Sequence, residues 1–226
     1  MLMVDLSASG HFGSVGDSKR ELAAELACVL AFSATRNNDK VGLILFTDRV
    51  EKFIYPKKGR QHVLRVIREI LFFNPRRRGT DIPNALNHLN RIIKRQAVTF
   101  LLSDFLVGAF PSRKNPRPPA WDTLFKTLAL TSRRQDLICV NLSDPRELEL
   151  PDIGLITLED LETGGQVEVN TARKPVRQYY RQWNAEWRAA LERSFRQIGV
   201  DHFSISTDRP YIHSLREFFH LREKRR

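Results

Sequence analysis

Residues 2–9, LMVDLSAS, carry a short apolar run that stops at Asp5 and leads into two serines. A second run, Val41–Phe46 (VGLILF), is apolar throughout, which is typical of a strand covered on both faces of a sheet. Residues 97–102 and 137–142 repeat the pattern of this second run. We therefore predict four strands that form the middle of one sheet.

Helical patterns separate these strands. Residues 19–35 are rich in Ala and Leu around most of their circumference, as in a helix buried against a sheet. An amphipathic stripe over residues 82–93 follows Asp81, which suits a helix N-terminus, and has Pro83 in its first turn. The alternation predicts an α/β fold of Rossmann-like type. This is a three-layer sandwich in which helices cover both faces of a mostly parallel central sheet.

A more exposed strand is predicted next to the second apolar run. Residues 50–55 alternate and meet Pro56, which is typical of a strand at a sheet edge, and the short link 47–49 suits a hairpin. The next helix is indicated by four apolar residues at helical spacing: Val63, Ile67, Ile70 and Leu71.

The pattern changes in the last third of the chain. Residues 155–158 and 166–169 alternate on either side of a glycine-containing turn, which is a hairpin signal. A long helix follows, which ends at Gly199 and whose aromatic residues we interpret as core. A short strand and a final helix complete the chain. We predict a core domain over residues 1–145 and an extension over residues 146–226 that packs on it.

The composition limits the class of protein. The 226 residues include 42% apolar ones, enough for a core, and 37 Lys plus Arg against 26 Asp plus Glu, a formal net charge of +11. No apolar run approaches the ~18 residues of a membrane helix, and the first residues form no signal-peptide pattern. Cys28 and Cys139 match no metal or redox spacing, so we expect reduced, buried thiols in a cytoplasmic protein.

Polar clusters lie where the predicted strands end, and in parallel sheets such ends form the edge where ligands bind. Hydroxyl and carboxylate oxygens suit a hard cation such as Mg²⁺, which prefers six oxygen ligands and keeps several waters. A site with few direct carboxylates leaves a position for a carboxylate from outside. There are three clusters: Asp5-x-Ser7-x-Ser9 after the first strand, Gly79-Thr80 before the helix at 82–93, and Ser103-Asp104 after a later strand.

This combination of D-x-S-x-S, Gly-Thr and Ser-Asp resembles the metal-ion-dependent adhesion site of von Willebrand factor type A domains. More narrowly, the chain resembles the bacterial family numbered fifty-eight among the domains of unknown function, whose members are typically encoded beside MoxR-type AAA ATPases. The stretches that carry the likeness are 5–9 DLSAS, 39–46 DKVGLILF, 78–81 RGTD, 102–105 LSDF, 144–148 DPREL, 150–154 LPDIG and 162–164 ETG.

The resemblance implies a von Willebrand factor A-like fold and a role for each matching residue. Ser7 and Ser9 would be direct ligands of Mg²⁺ or Mn²⁺, and Thr80 would join them when a partner is bound. Asp5 and Asp104 would hold the ion through waters. Another interpretation stays open, in which the three hydroxyls cap helices and the two carboxylates simply end strands.

The start of the chain departs from the family pattern. Family members usually carry a segment ahead of D-x-S-x-S, with an Asp-Trp pair and an arginine-rich stretch, whereas residue 1 lies almost at the first strand here. Three explanations stay open: a start that was set too late, a truncated chain, or a member that lacks this part.

Enzymatic motifs are absent from the sequence. Gly10, Gly13 and Gly16 do not form G-x-G-x-x-G, and no G-K-[ST] follows, so no nucleotide motif is present. Ser9 lies outside G-x-S-x-G, which argues against a hydrolase. A metal-dependent phosphohydrolase would need more carboxylates around its ions. We predict that the chain is not an enzyme.

Basic residues cluster in three places. The tail is interpreted as solvated charge, whereas the groups nearer the site predict a positive rim that attracts an acidic partner. The clusters are Arg76-Arg77-Arg78, then Arg113, Lys114 and Arg117, then the tail residues Arg222, Lys224, Arg225 and Arg226. We assign five residues to the rim: Arg76, Arg77, Arg78, Asp81 and His11.

Two classes of function remain. The first is a metal-dependent protein–protein interaction module in which a partner carboxylate completes the Mg²⁺ coordination. The resemblance implies that its partner is a MoxR-type AAA ATPase, or that ATPase's client, with this chain as adaptor. The alternative is a nucleic-acid-binding protein that uses the basic rim and tail, although no helix-turn-helix, zinc-finger or RNP signature is present.

Overall fold

The computed structural model describes residues 1–14, 16–107, 119–161 and 164–224. Its strands are β1 Leu2–Asp5, β2 Val41–Phe46, β3 Val50–Lys57, β4 Val98–Ser103, β5 Asp136–Ser143, β6 Leu155–Glu159, β7 Gln166–Asn170 and β8 Asp201–Ser206. Its helices are α1 Lys19–Arg36, α2 Arg60–Phe72, α3 Ile82–Ile92, α4 Pro119–Ser132, α5 Pro145–Leu148, α6 Lys174–Ile198 and α7 Tyr211–Glu223, with a 3₁₀ turn at Ala8–His11.

The six-stranded sheet has the order β3-β2-β1-β4-β5-β8. All neighbours pair in parallel except β3, which runs antiparallel to β2 at one edge. The order reverses between β1 and β4, so the carboxyl ends of these two strands flank the switch point at which open α/β sheets bind ligands. The predicted α/β sandwich with a mostly parallel sheet is confirmed.

Alternating side chains of the strands build two cores. Val4 faces the layer of α1, α2 and α7, whereas Met3 faces the layer of α3, α4 and α6. Because β1, β2, β4 and β5 have helices on both faces, they need apolar residues at nearly every position, which explains their unbroken apolar runs. The helices predicted to flank the sheet therefore lie on both of its faces.

Two local predictions need correction. The strand expected to end at Pro56 continues to Lys57, which an edge strand tolerates because proline there gives up no ladder hydrogen bond. In α2 the buried residues are Val63, Val66 and Ile70, whereas Leu71 is 50% exposed. A single residue step turns a helix by about 100°, which carries Leu71 away from the sheet.

The last third of the chain contributes to the same sheet. The predicted hairpin is β6–β7, the long helix is α6, and Gly199 ends it in the left-handed conformation with φ 68°. β8 then pairs with β5 and forms the second edge of the central sheet. The division at residue 145 stays a prediction, and β5 and β8 share one sheet across it.

Two further side chains depart from their predicted surroundings. Arg222, expected in a solvated tail, is largely buried and pairs with Asp136 and, at 3.2 Å, with Asp201, and so holds α7 against the starts of β5 and β8. Cys139 is buried as expected, but Cys28 is only half-buried. Among the described residues, no helix is long and apolar enough to cross a membrane.

Candidate metal centre

The predicted strand-end clusters meet at the switch point of the sheet. Asp5 is the last residue of β1, and Ser103 is the last residue of the adjacent β4. The Ser103 hydroxyl donates to Asp5 Oδ2 at 2.7 Å, and the Ser7 amide donates to Asp5 Oδ1 at 2.9 Å. Both oxygens of the buried Asp5 carboxylate are therefore held in place by neighbouring groups.

A tight turn after β4 orients Asp104. The Phe105 amide donates to the Ser103 hydroxyl at 3.1 Å, and the Leu106 amide donates to Asp104 Oδ1 at 3.2 Å. Phe105 has φ 55°, an uncommon conformation for a residue with a side chain. Such backbone strain concentrates at functional sites, and here it places Asp104 beside Asp5.

The two serines of D-x-S-x-S lie on the turn that follows β1. The Oγ atoms of Ser7 and Ser9 are 3.0 Å apart. Ser7 precedes the 3₁₀ turn, yet its side chain makes no capping hydrogen bond there. The cap interpretation therefore does not account for Ser7, whose hydroxyl is directed towards Ser9 instead.

Thr80 lies in the loop between α2 and α3. The Ala8 amide donates to the Arg78 carbonyl at 2.8 Å, which brings this loop against the serine turn. Asp81 follows Thr80 and accepts a hydrogen bond from the Asn84 amide at 2.9 Å as the N-cap of α3. The backbone of this loop therefore lies against the serine turn at Arg78, two residues before Thr80.

A small cavity joins most of the candidate ligands. Its volume of about 10 Å³ is close to the smallest space that holds one water molecule. Thr80 is not among the described residues that line it. The lining consists of Asp5, Ser7, Ser9, Gly10, Lys19, Arg20, Ser103, Asp104 and Leu142.

Lys19 is a site residue that the sequence analysis missed. Its side chain is 1% exposed, and its Nζ atom lies 2.6 Å from Asp104 Oδ2 and 2.5 Å from Glu147 Oε1. Lys19 is the first residue of α1, which begins at a capping box formed by Ser18 and Glu21. Lys19 is one of several charged residues in α1, so nothing in the sequence indicates that it is buried or which residues it pairs with.

The ionisable groups of this edge influence one another. Burial and the neighbouring Asp104 raise the pKa of Asp5 to about 7, although hydrogen bonds from Ser103 and Ser7 oppose the shift. Burial also raises the pKa of Glu147, against the attraction of Lys19. For Lys19, burial lowers the pKa, but the two carboxylates outweigh it and the pKa is raised. Lys19 therefore stays charged, whereas burial and the neighbouring carboxylate disfavour the ionised form of Asp5.

Most of the predicted rim residues lie on the surface. Arg76, Arg77 and Arg78 are exposed. His11 is also exposed, and its Nε2 atom lies 3.4 Å from an Arg20 nitrogen; partial burial and this guanidinium lower its pKa. The second basic cluster, Arg113, Lys114 and Arg117, lies outside the described residues, as do Arg225 and Arg226 of the tail.

The donor set fits a small, hard cation. The Ser7 and Ser9 hydroxyls are hydrogen-bonded to each other at 3.0 Å. Neighbouring ligands of an octahedral Mg²⁺ lie at a similar separation of ~2.9 Å, so the two oxygens are close enough to bind one ion in place of this hydrogen bond. Across the described part of the chain, no three His, Cys, Asp or Glu side chains form a ligating group. A site built from hydroxyls with supporting carboxylates favours Mg²⁺ or Mn²⁺ over metals that prefer thiolate or imidazole.

Similar solved structures come from distant proteins. The conserved hypothetical protein BatB from Bacteroides thetaiotaomicron is 15% identical, with a TM-score of 0.48 over 88% of this chain and 97% of that chain. Proximal thread matrix protein 1 from the mussel byssus, described with a zinc-occupied MIDAS motif, is 18% identical, with a TM-score of 0.44 over 63% of this chain and 37% of that chain. Both TM-scores are below 0.5, so the fold of this chain is assigned from its own strand order and pairing.

Relatives in sequence come from mycobacteria. Uncharacterized protein Rv1480 of Mycobacterium tuberculosis is 27% identical over 225 residues, which are 99% of this chain and 67% of the relative. Uncharacterized protein MAV169 of Mycobacterium avium is 29% identical over 144 residues, 64% of this chain and 77% of the relative. The model of the family described as protein of unknown function DUF58 matches residues 1–190. The chain therefore belongs to the DUF58 family, as its sequence motifs predicted.

Proposed function

We propose that this protein is a non-enzymatic interaction module that binds Mg²⁺ or Mn²⁺ at the switch point of its sheet and, through the ion, a carboxylate of a partner protein. The observation that carries the proposal is the pair of serine hydroxyls 3.0 Å apart on a cavity that Asp5 and Asp104 also line. Hydroxyl ligands leave the ion with unneutralised charge, which a carboxylate from outside can complete.

Each residue of the site has a separate task in this proposal. Ser7 and Ser9 supply direct oxygen ligands, and Thr80 supplies a third when the partner is bound. Asp5 orients the serine turn through the Ser7 amide and, together with Asp104, balances the charge of the ion. The bound ion supplies Lewis acidity towards an acidic side chain of the partner.

The surface around the cavity supports an acidic partner. Arg76, Arg77 and Arg78 are exposed in the loop that also carries Thr80, and a net charge of +11 favours association with negative surfaces. The resemblance to a family whose members are encoded beside MoxR-type AAA ATPases makes such an ATPase, or its client, the proposed partner. This chain would act as the adaptor that recruits it.

Calorimetry with Mn²⁺ tests the metal site directly. We expect the wild type to bind one equivalent and Asp5→Ala to bind none, because the substitution removes the carboxylate that organises the serine turn. Ser33→Ala on the exposed side of α1 is the matched control and should bind as the wild type does. Equally negligible binding by the wild type and Asp5→Ala would refute the proposal.

Co-purification with the ATPase tests the interaction. Association should be lost in EDTA and in Ser7→Ala, and kept in Ser33→Ala. If association is unchanged under the first two conditions, the contact does not depend on the metal.

Nucleic-acid binding is the competing function that the charge suggests. Arg222 pairs with Asp136 and Asp201, so one of the tail's positive charges is already neutralised within the protein. The tail is therefore less suited to binding nucleic acid than its sequence suggests. Binding to arbitrary duplex DNA, measured against salt concentration, separates the two functions. A steep salt slope with useful affinity near physiological salt would favour nucleic acid.

A further inference from the structure

Lys19 has no task in the metal site proposed above, although it lines the same cavity as Asp5 and Ser7. Its side chain is 1% exposed, and lysines are almost never buried to this degree unless they are paired. A permanent positive charge inside a cavity suited to a cation opposes the binding of a second cation. The position of Lys19 therefore bears directly on how tightly the site holds an ion.

The ammonium and a bound ion would share one carboxylate. Lys19 Nζ lies 2.6 Å from Asp104 Oδ2, while Asp104 Oδ1 accepts the Leu106 amide. On its other side the ammonium lies 2.5 Å from Glu147 Oε1. Glu147 is held by the capping box of α5, in which its own side chain accepts from the Asp144 amide at 3.2 Å. The ammonium is thus held between Asp104 and a Glu147 side chain that the start of α5 fixes in place.

Several charged groups surround the cavity. With every group ionised, the carboxylates of Asp5, Asp104 and Glu147 and the Lys19 ammonium sum to a formal charge of −2, and the Arg20 guanidinium, which also lines the cavity, adds one positive charge. Removal of the ammonium leaves a more negative site, and removal of the Glu147 charge leaves a less negative one. The two members of the pair therefore act on a bound cation in opposite directions.

We infer that Lys19 and Glu147 set the affinity of the site for divalent cations, with Lys19 weakening binding and Glu147 offsetting part of that effect. This role rests on the proposed metal site. Lys19 keeps the affinity of the partner-free site for the ion low, so that a partner carboxylate contributes a large share of the total binding free energy of the ion. Because Glu147 lies on α5, which belongs to the C-terminal part of the chain, the position of that helix also affects the affinity.

A purely structural role for Lys19 gives a different expectation. In that case the lysine only ties the start of α1 to β4 and α5, and loss of either charge loosens the cavity. Both substitutions would then weaken metal binding or leave it unchanged. Opposite effects of two substitutions in one ion pair distinguish electrostatic control from loss of packing.

The experiment is calorimetry with Mn²⁺ on the wild type, Lys19→Met, Glu147→Gln and the double variant, with thermal unfolding as a check of folding. Lys19→Met should bind at least about tenfold more tightly and Glu147→Gln at least about tenfold more weakly, because a unit charge several ångströms from a divalent ion changes its energy substantially even at the effective dielectric constant near a protein surface. The double variant, which keeps the formal charge of the wild type, should bind close to it.

Specific outcomes overturn this role. If folded Lys19→Met binds as the wild type does or more weakly, while Asp5→Ala still abolishes binding, the metal site stands and the role of Lys19 is refuted. If no variant binds Mn²⁺, the proposed function and this role fall together. If Lys19→Met does not fold, the double variant is compared with Glu147→Gln, from which it differs only at residue 19. Tighter binding by the double variant supports the role, and equal binding refutes it.

Discussion

Two buried carboxylates at the same edge of the sheet have opposite surroundings. Asp144 accepts hydrogen bonds from the Ser14 amide and hydroxyl, the Thr207 hydroxyl and the Arg146 amide. Burial disfavours its ionised form, but these four donors outweigh burial and lower its pKa. Asp5 has three such donors, the Ser103 hydroxyl and the amide and hydroxyl of Ser7, yet burial together with Asp104 raises its pKa to about 7.

The difference separates a structural carboxylate from a binding carboxylate. Asp144 joins three segments of chain and has its charge satisfied by the protein itself. Asp5 lies beside a second carboxylate with fewer donors, so its charge is stabilised most by a cation. A buried carboxylate that lies at a switch point, beside a second carboxylate and two hydroxyls, is the better guide to a binding site.

The largest expected effect is on stabilisation by metal. At Mn²⁺ concentrations about 100 times the dissociation constant, the ion should stabilise the wild type by ~2.7 kcal/mol, which raises its melting temperature by about 5–10 °C for a chain of this size. Asp5→Asn should lose this increase, whereas Asp144→Asn should keep it from a lower starting temperature. Differential scanning fluorimetry with and without Mn²⁺ measures both. Loss of the increase in both variants would contradict the distinction between the two carboxylates.

The hydroxyl that holds Asp5 should also affect metal affinity. Ser103→Ala removes the donor to Asp5 Oδ2, and groups that orient metal-binding residues typically account for 10–100-fold in affinity. We expect a loss in that range by calorimetry with Mn²⁺. Thr207→Val, which removes the corresponding hydroxyl from Asp144, is the control and should leave the affinity unchanged.

Substitution of the structural carboxylate should change stability and its dependence on pH. Asp144→Asn should destabilise the protein by about 2 kcal/mol at neutral pH, because hydrogen bonds to a charged acceptor are lost. The pKa of Asp144 is lower in the folded protein than its ordinary value of 3.8, so the ionised carboxylate contributes its full stabilisation above pH 3.8. This contribution is lost as the pH falls through the folded-state pKa. Urea denaturation at several pH values should show the two proteins converging below about pH 4. A difference that stays constant well below pH 4 would show that Asp144 acts mainly through packing.

The smallest effect is expected for a single donor of Asp144. Thr207→Val should cost about 0.5–1.5 kcal/mol, because three donors to the carboxylate remain. The urea midpoint should fall accordingly. A loss as large as that of Asp144→Asn would mean that Thr207 anchors the end of β8 by other contacts.

Much of the fold follows from local patterns in the sequence. Val41–Phe46 is apolar at every position because helices cover both faces of β2, and that periodicity is visible without knowledge of any partner. The proximity of three candidate site residues could be predicted for a related reason. Asp5, Ser7 and Ser9 lie within five residues of one another, and the end of a strand places them together whatever the rest of the chain does.

Contacts between distant segments could not be predicted in this way. Lys19 reaches Glu147, and Ser14 reaches Asp144, 130 residues further along the chain. A lysine at a helix start and an Asp-Pro turn have many possible partners, and only the three-dimensional fold selects among them. Arg222 was placed in solvent for the same reason, since the strand starts that hold Asp136 and Asp201 are far from it in sequence.

The late position of β8 in the chain has a consequence for synthesis. β5 is complete at Ser143, but the strand that covers its open edge begins only at Asp201. At 5–20 residues per second, a ribosome needs roughly three to twelve seconds to make the intervening segment. During that interval β5 has an unpaired backbone edge beside mostly apolar residues, which is a template for aggregation. The hairpin β6–β7 and the helix α6 therefore set the length of chain that must be made before this edge can be paired.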